Sequence, residues 1–310
     1  MYYFLINPAS GSGRGHSVWN TVQSELDRLQ IPYTHFLLTG PGEARALARA
    51  LSESPAPCTL VVVGGDGTIN ETLNGLTTFK NITFACIPTG SGNDFVRGLN
   101  LPTDPLKALH AILKPRQIQK INIGVTHCFA GSSSAGSFSY AVSSGIGFDA
   151  AVCDSVLSSR FKTLLNRFHS GKLIYLVTAL WRLFTMRRQP LEVSVDGGPV
   201  QTYQKVYFAA AMNLRYEGGG FCFCPEALPD DDRIDLLIAH GIPRWQVLYL
   251  LPLALKGKHV GHPGIEIIRC QSVSLQSPEP LCVHTDGEIP GFYDRVTFSL
   301  RKEKLAVIRK

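Results

Sequence analysis

The sequence predicts two domains, a parallel α/β domain followed by a mainly antiparallel β domain. Residues 60–63 form a continuous apolar run, as in a strand buried on both faces of a parallel sheet. From about residue 125, short alternating segments separated by Gly, Ser and Pro are typical of antiparallel strands. A chain of 310 residues is also long for a single core. We therefore expect one domain at residues 1–124 and a second at residues 125–300.

The composition is that of a globular protein with an ample core, since 45% of the residues are hydrophobic and 17% are charged. The eight cysteines are scattered and include no C-x-x-C pair, which favours a reducing cytosol without disulfides. No run reaches the roughly 18–20 apolar residues that a membrane-spanning helix needs. We expect a soluble protein that at most lies against a membrane surface.

Residues 60–75 are the stretch around which the first domain is organised. The apolar strand ends at Gly64 and Gly65, passes through Asp66, and continues into a pattern that suits a helix from Ile69. Glycines let the backbone approach a phosphate, and a helix start offers free N–H groups. A bare carboxylate repels phosphate, so Asp66 predicts a divalent cation between the two. The alternative is a tight turn in which Asp66 only caps the helix.

Two further glycine-containing loops follow predicted strands. The apolar run at residues 2–6 leads into residues 7–15, and the run at residues 84–87 leads into residues 88–94. Ligands collect at the carboxyl ends of parallel strands, so the loops that carry Asp66 and Asp94, with one aspartate each, are together more specific than either loop alone. Asp94 has its own alternative as a helix cap, and the first loop is neither a Walker A loop nor G-x-G-x-x-G. Thr39, after the predicted second strand, could simply begin a turn.

These motifs resemble the diacylglycerol kinase catalytic-domain family of lipid kinases, which includes sphingosine and ceramide kinases. The shared patterns are N-P-x-S-G-x-G from Asn7, G-G-D-G-T at residues 64–68, and N-D-F from Asn93, where Ser91 replaces the usual threonine. A D-G-E triplet at residues 286–288 completes the set. The resemblance implies a first domain like that of NAD kinases and phosphofructokinases and a nucleotide cleft between the domains. It also implies that residues 301–310 return to the first domain.

The resemblance implies ATP and Mg²⁺ as cofactors. Asp66 and Asp94 would hold the catalytic Mg²⁺, and Glu288 would act as general base. From the residues alone, Asp-Gly is a hairpin signal that leaves Glu288 in solvent. The implied nucleotide-binding residues are Asn7, Ser10, Gly11, Gly13, Thr39, Gly64, Gly65, Asp66, Gly67, Thr68, Ile69, Asn70, Ser91, Asn93 and Asp94.

The acidic segment at residues 227–235 resembles the family's structural magnesium site. The implied ligands are Asp231 and the carbonyl groups of Leu228 and Arg233. Without the resemblance, the segment is a solvated acidic turn. Asp232 stands where the family has glycine, so a positive φ would strain the backbone there. Asn122 replaces an aspartate that joins the catalytic aspartates in the family, which predicts a weaker electrostatic hold on Mg²⁺.

Residues 155–191 contain seven Lys or Arg side chains, many aromatic and aliphatic residues, and no acidic residue. This composition suits amphipathic helices on an anionic bilayer. The alternative is a helical insertion packed on its own sheet with a solvated basic face. Nucleic acid is not expected as a partner, because no nucleic-acid module is present and aliphatic residues outnumber aromatic ones.

These features together favour an ATP-dependent lipid kinase that converts diacylglycerol to phosphatidic acid. A sphingoid base, ceramide or another lipid alcohol would use the same motifs. An NAD-kinase-like enzyme shares the G-G-D-G-T loop, and a non-catalytic nucleotide- or lipid-binding regulator is the alternative outside enzymes. We expect the protein in the cytoplasm, associated peripherally with the inner face of the membrane, and a homodimer is left open.

Overall fold

The first half of the chain forms a six-stranded sheet. The structure is a computed structural model that describes residues 1–158 and 171–309. The strands are β1 Tyr2–Ile6, β2 Tyr33–Leu37, β3 Cys58–Gly64, β4 Ile82–Pro88, β5 Ile118–Ile121 and, from the far end of the chain, β15 Leu305–Ile308. Their order is β2-β1-β3-β4-β15-β5. All neighbours pair in parallel except β15 and β5, which are antiparallel.

Helices cover both faces of this sheet. They are α1 Arg14–Arg28, α2 Glu43–Glu53, α3 Asp66–Leu73, α4 Asp94–Gly98 and α5 Pro105–Leu113. One hydrophobic core lies between the sheet and helices α2, α3 and α4, and the other lies under α1 and α5. Because both faces are covered, nearly every residue of β3 and β4 is buried. This burial explains the continuous apolar runs in the sequence.

The second half forms a nine-stranded sheet in which all pairs are antiparallel. Its strands are β6 Gly124–Ala130, β7 Ser133–Tyr140, β8 Ser143–Gly147, β9 Gln189–Val195, β10 Val200–Met212, β11 Ile234–His240, β12 Ile265–Cys270, β13 Val273–Thr285 and β14 Glu288–Leu300. The order is β12-β11-β10-β8-β13-β14-β6-β7, and β9 pairs with β10 and β13. The predicted fold class, parallel α/β followed by antiparallel β, is confirmed.

Among the described residues, three helices accompany the second sheet. They are α6 Phe148–Ser158, α7 Gly171–Thr185 and α8 Arg244–Ala254. The predicted basic insertion at residues 155–191 is only partly described, since Arg160, Lys162 and Arg167 lie outside the described residues. In the ranges that the structure covers, no helix is both long and apolar enough to cross a bilayer.

The chain passes from the first sheet to the second and later returns to the first. The chain leaves the first sheet after Ile121 and enters the second at Gly124. It returns at Leu305, where β15 lies between β4 and β5. The first sheet therefore needs a strand from the chain's far end.

Candidate active site

Three loops meet at the carboxyl edge of β1, β3 and β4. The amide of Asn7 donates to the hydroxyl of Thr68 (3.0 Å), and the hydroxyls of Ser10 and Thr89 lie 2.5 Å apart. A Cβ atom on Gly90 would lie 2.9 Å from the Cα atom of Gly65. The predicted loops at residues 7–15, 64–70 and 88–94 therefore form one continuous surface.

The backbone of this surface comes close enough to itself to require glycine. Gly11 has a φ of 59°, and a Cβ atom there would fall on the carbonyl oxygen of Thr89. Helix α3 begins after Gly65, which has no side chain that could cap the first N–H groups of the helix. Free N–H groups at the start of the helix are suited to bind phosphate oxygens.

Asp66 and Asp94 lie side by side at this edge. The carboxylate of Asp66 accepts the N–H groups of Asp94 (3.2 Å) and Phe95 (3.3 Å). A Cβ atom on Gly92 would lie 3.1 Å from Oδ2 of Asp66 and 3.8 Å from Oδ2 of Asp94. Asp94 pairs with Arg97 at 2.9 Å. The two carboxylates that the sequence singled out therefore face the same small space.

Their environment leaves this pair short of positive charge. Burial raises the pKa of Asp66 above its ordinary value, although backbone N–H groups oppose the shift. Burial also raises the pKa of Asp94 to about 6, and the neighbouring charge of Asp66 adds to the increase. Two close carboxylates with one guanidinium partner form a donor set that fits a hard divalent cation such as Mg²⁺.

Glu288 reaches this edge from the second domain. Asp286 and Gly287 form the turn between β13 and β14, with φ angles of 51° and 86°. A Cβ atom on Gly67 would lie 2.5 Å from Oε1 of Glu288, so the carboxylate approaches the first turn of α3. The carboxylate of Glu288, the general base that the resemblance implies, thus lies against Gly67, the residue that follows Asp66 in α3.

Asp286 fixes this turn to the first domain. Its carboxylate accepts the side-chain amide of Asn70 (3.0 Å) and the backbone N–H groups of residues 141–143 (2.8–3.1 Å). A buried carboxylate with four N–H donors holds a fixed position. The position of Glu288 is therefore set from both domains.

The other predicted site residues lie at helix starts, on an exposed loop or in the core. Gly13 and Asn93 provide left-handed turns before α1 and α4, with φ angles of 94° and 52°. Ser91 is exposed on the third loop, and the side chain of Ile69 lies in the core, so Ile69 offers only its backbone. Thr39 is exposed at the end of β2 and bonds to the carboxylate of Glu43. Its described contacts therefore serve the start of α2.

Sequence reasoning missed several residues around the aspartates. Thr89 bridges two loops, and the backbone N–H of Gly219 donates to Asp94 at 2.7 Å. Three consecutive glycines at residues 218–220 all have positive φ, and a Cβ atom on Gly220 would collide with Arg97. The G-G-G triplet was the available signal, because such a run indicates a close backbone approach.

A buried trio also lies beside the turn that carries Glu288. Nε2 of His284 is 3.0 Å from Asp149 and 3.3 Å from Glu217. In the neutral ring Nδ1 accepts the N–H of Gly287 at 3.3 Å, and the charged ring gives up this long contact.

The charges of the trio depend on one another. Burial alone would lower the pKa of His284, but Glu217 and Asp149 raise it to about 9. Burial raises the pKa of Glu217 to about 7, although the imidazole of His284 opposes the shift. An imidazolium between two buried carboxylates therefore ties α6 and the residue 217–221 loop to the Glu288 turn.

The segment predicted to bind a structural magnesium lies elsewhere, beside β5 and β15. Asp231 accepts the N–H of Arg233 (3.0 Å), and its other oxygen lies 3.7 Å from Arg269. Lys304 donates to the carbonyl of Asp230 and pairs with Asp232, both at 2.8 Å. The predicted carboxylate ligand already faces a guanidinium, so these residues fit a metal ion poorly.

Asn122 belongs to this segment. Its amide donates to the carboxylate of Asp232 (2.8 Å), and its side-chain oxygen accepts the N–H of Asp232 (3.1 Å). Asp232 has a φ of 60°, the conformation expected where the family carries glycine. The described hydrogen bonds of the Asn122 side chain thus go to this loop and not to Asp66 or Asp94.

Comparisons with known proteins identify the families of the two domains. The family described as "Diacylglycerol kinase catalytic domain" matches residues 1–126, and the "YegS C-terminal NAD kinase beta sandwich-like domain" matches residues 141–309. A Bacillus subtilis protein, named provisionally as the lipid kinase YtlR, is 28% identical over 293 residues and 94% of each chain. A Staphylococcus carnosus diacylglycerol kinase is 27% identical over 290 residues, which are 93% of this chain and 88% of the relative.

A solved structure gives the same result for the fold. The structure of a diacylglycerol kinase from Bacillus anthracis superposes with a TM-score of 0.71 over 100% of this chain and 96% of that chain, at 18% identity. The two family matches together span nearly the whole sequence. Residues 1–126 therefore belong to the diacylglycerol kinase catalytic-domain family and residues 141–309 to the YegS C-terminal family, and the protein is a lipid kinase.

Proposed function

We propose that the protein transfers the γ-phosphoryl group of ATP to the hydroxyl of diacylglycerol, in the presence of Mg²⁺, and so forms phosphatidic acid. The names of the relatives support this acceptor. The observation that carries the proposal is the position of Glu288, whose carboxylate meets the first turn of α3 beside Asp66. A base from one domain and a phosphate site from the other thus face a single cleft.

The three loops of the first domain would bind the nucleotide. Backbone N–H groups at the start of α3 would donate hydrogen bonds to the phosphate oxygens, and Gly11 and Gly67 keep the surface free of side chains. Asp66 and Asp94 would hold Mg²⁺, which when bound neutralises charge on the β- and γ-phosphates. Arg97 balances part of the remaining negative charge on Asp94.

Glu288 would accept the proton of the acceptor hydroxyl. As that oxygen forms its bond to the γ-phosphorus, the bond between this phosphorus and the bridging oxygen of ATP breaks, and ADP leaves with the electron pair. Phosphoryl transfer depends mainly on positioning and charge stabilisation. The clamp between Asp286 and Asn70 supports this role, because it holds the Glu288 turn against the first domain.

We also propose that residues 155–191 bring the enzyme to an anionic membrane, where a lipid acceptor resides. Of the basic side chains described there, Arg187 is 83% exposed and lies 3.8 Å from the exposed Glu279. Arg182 bonds to Ser155 (2.6 Å), and Arg188 bonds to the carbonyl of Ile242 (2.9 Å). Arg187 is therefore the better test of membrane contact, and vesicle binding should weaken with salt.

The test is transfer of labelled phosphate from ATP with Mg²⁺ to diacylglycerol, sphingosine or ceramide in mixed micelles. We expect label in diacylglycerol, none with Asp66→Ala, and at least about a hundredfold loss with Glu288→Gln. Glu53→Gln, the same change at an exposed residue of α2, is the matched control and should keep full activity. Label only in sphingosine or ceramide would identify that lipid as the acceptor instead of diacylglycerol. Full activity of Glu288→Gln would exclude Glu288 as the general base.

A further inference from the structure

Helix α8 carries an apolar stripe on its exposed face. The exposed fractions are 67% for Trp245, 40% for Leu248 and 62% for Tyr249, and 49% for Leu255 just after the helix. These positions recur at helical spacing, while Leu250 and Ala254 point into the protein. A helix face turned to water normally carries polar residues, so packing among the described residues does not explain the stripe.

The stripe continues onto the neighbouring helix. The guanidinium of Arg244 donates to the carbonyls of Leu183 and Met186, both at 3.0 Å, and so joins the start of α8 to the end of α7. Leu183 and Leu250 share one hydrophobic cluster. On α7, Trp181 and Phe184 are 56% and 54% exposed. The two adjoining helices thus both expose large aromatic side chains.

The segment of chain that carries α8 has charged residues of a single sign. Residues 236–265 contain no Asp or Glu, and the exposed Lys256 and Lys258 follow α8 directly. We call the combined surface the aromatic-basic face, and its members are Trp181, Phe184, Trp245, Leu248, Tyr249, Leu255, Lys256 and Lys258.

This composition matches one kind of partner. Trp and Tyr prefer the interface between water and lipid, and long Lys side chains can reach up to head groups while their stems stay apolar. Lysines beside apolar side chains, without acidic residues among them, complement an anionic bilayer. A second copy of the same face would instead bring like charges together.

We propose that α8, with the end of α7, is a membrane-docking element that inserts Trp245 and Tyr249 at the surface of an anionic bilayer. The inference rests on the proposed lipid acceptor and extends it. It adds α8 to the contact proposed for residues 155–191, which include Trp181 and Phe184 at the end of α7. Docking through this face would hold the enzyme at the surface that contains its acceptor.

The test is flotation of the full chain with vesicles of phosphatidylcholine alone or with 30% phosphatidylglycerol, at low and high salt. The double variant Trp245→Gln/Tyr249→Gln should lower binding to the anionic vesicles by at least about tenfold, since two large apolar side chains no longer leave water. Ile118→Gln, an exposed apolar residue on β5 of the first sheet, is the matched control and should bind like the wild type.

Activity on a short-chain, water-soluble diacylglycerol separates docking from catalysis. We expect the double variant to keep wild-type kcat on that acceptor and to lose activity on vesicles. If no lipid accepts phosphate but the double variant still loses vesicle binding, the proposed function fails and the docking element stands. Wild-type binding by the double variant would overturn the proposal. The proposal would also be overturned if light scattering showed a wild-type dimer that the double variant dissociates while its vesicle binding stays unchanged.

Discussion

Gly67 is the residue at which the two halves of the proposed reaction meet. A Cβ atom there would collide with the carboxylate of Glu288. We expect Gly67→Ala to lower kcat by roughly 10- to 100-fold, because displacing a catalytic group by about 1 Å has effects of this size. Steady-state kinetics with varied ATP and lipid would measure the change.

Gly40→Ala is the control for this substitution, since nothing lies within 4 Å of a Cβ atom at Gly40. It should leave kcat unchanged. If Gly67→Ala matched the control in kcat, Glu288 would not need its position against α3, and its role as base would lose its structural support.

The buried trio predicts a pH-dependent stability. Asp149 on α6, Glu217 on its loop and Asp286 in the turn face His284 and raise its pKa to about 9. Because the folded pKa lies above the ordinary value near 6.5, the charged ring stabilises the protein fully below pH 6.5. This contribution is lost as the pH rises towards 9.

We therefore expect His284→Gln to be less stable than the wild type at pH 6, by roughly 3 kcal/mol as an upper limit, with the gap closing by pH 9.5. Urea unfolding across this range would measure it. His16→Gln, at an exposed position on α1, should leave the stability within about 0.5 kcal/mol at every pH. A gap for His284→Gln that stays constant with pH would mean that the ring is neutral in the folded protein.

The site residues that could be predicted are those that lie close together in the sequence. Asp66, Asp94 and their glycines lie in short motifs at strand ends, and parallel strands bring such ends together. The trio could not be predicted, because Asp149, Glu217 and His284 come from three distant segments. Their contact depends on how α6 and the residue 217–221 loop pack on β13, which no local pattern records.

Among elements, the hairpin between β13 and β14 was predictable from Asp286 and Gly287, whose φ angles match the turn that this pair favours. The stripe on α8 was not singled out. A buried helix and an exposed apolar one have similar composition, and only the structure distinguishes their faces. Position and not composition therefore separates core from surface there.

The loop at residues 228–235 carries a prediction about metal binding. Lys304, Arg269 and Asn122 already balance its acidic groups. We therefore expect the melting temperature of the Asp66→Ala variant, which lacks the proposed catalytic magnesium site, to be the same in EDTA and in millimolar Mg²⁺ without nucleotide, as scanning calorimetry would measure. A fall of several degrees in EDTA would favour the structural magnesium that the resemblance implies.

Asn122→Asp tests the same loop by adding a negative charge beside Asp232. The buried carboxylate would lose its donor contact to Asp232 and face a second negative charge. We expect a loss of about 1–3 kcal/mol in the free energy of unfolding, measured with urea. Asn20→Asp, on the exposed side of α1, is the control and should change little. A variant as stable as the wild type would show that the pair with Asp232 does not hold the loop.

At the scale of the whole molecule, the two domains are joined by more than the cleft. Asn70 bonds to Asp286, and Asn74 bonds to the backbone of Ser139. Arg301 donates to the carbonyls of residues 76 and 77. These bonds, with the strand returned from the end of the chain, make separate unfolding of either domain costly.

Leu305→Ala should therefore destabilise both domains at once. Leu305 is fully buried in β15, where it packs in the core of the first sheet. Removing its side chain should cost about 2–5 kcal/mol. Calorimetry should still give one transition, at a lower temperature, because β4 and β5 lose part of the strand between them while β14 leads directly into it. Leu37→Ala, at a half-exposed position on the edge strand β2, should shift the transition far less. Two separate transitions, of which only one moves, would show instead that the antiparallel domain folds independently of the strand that it returns.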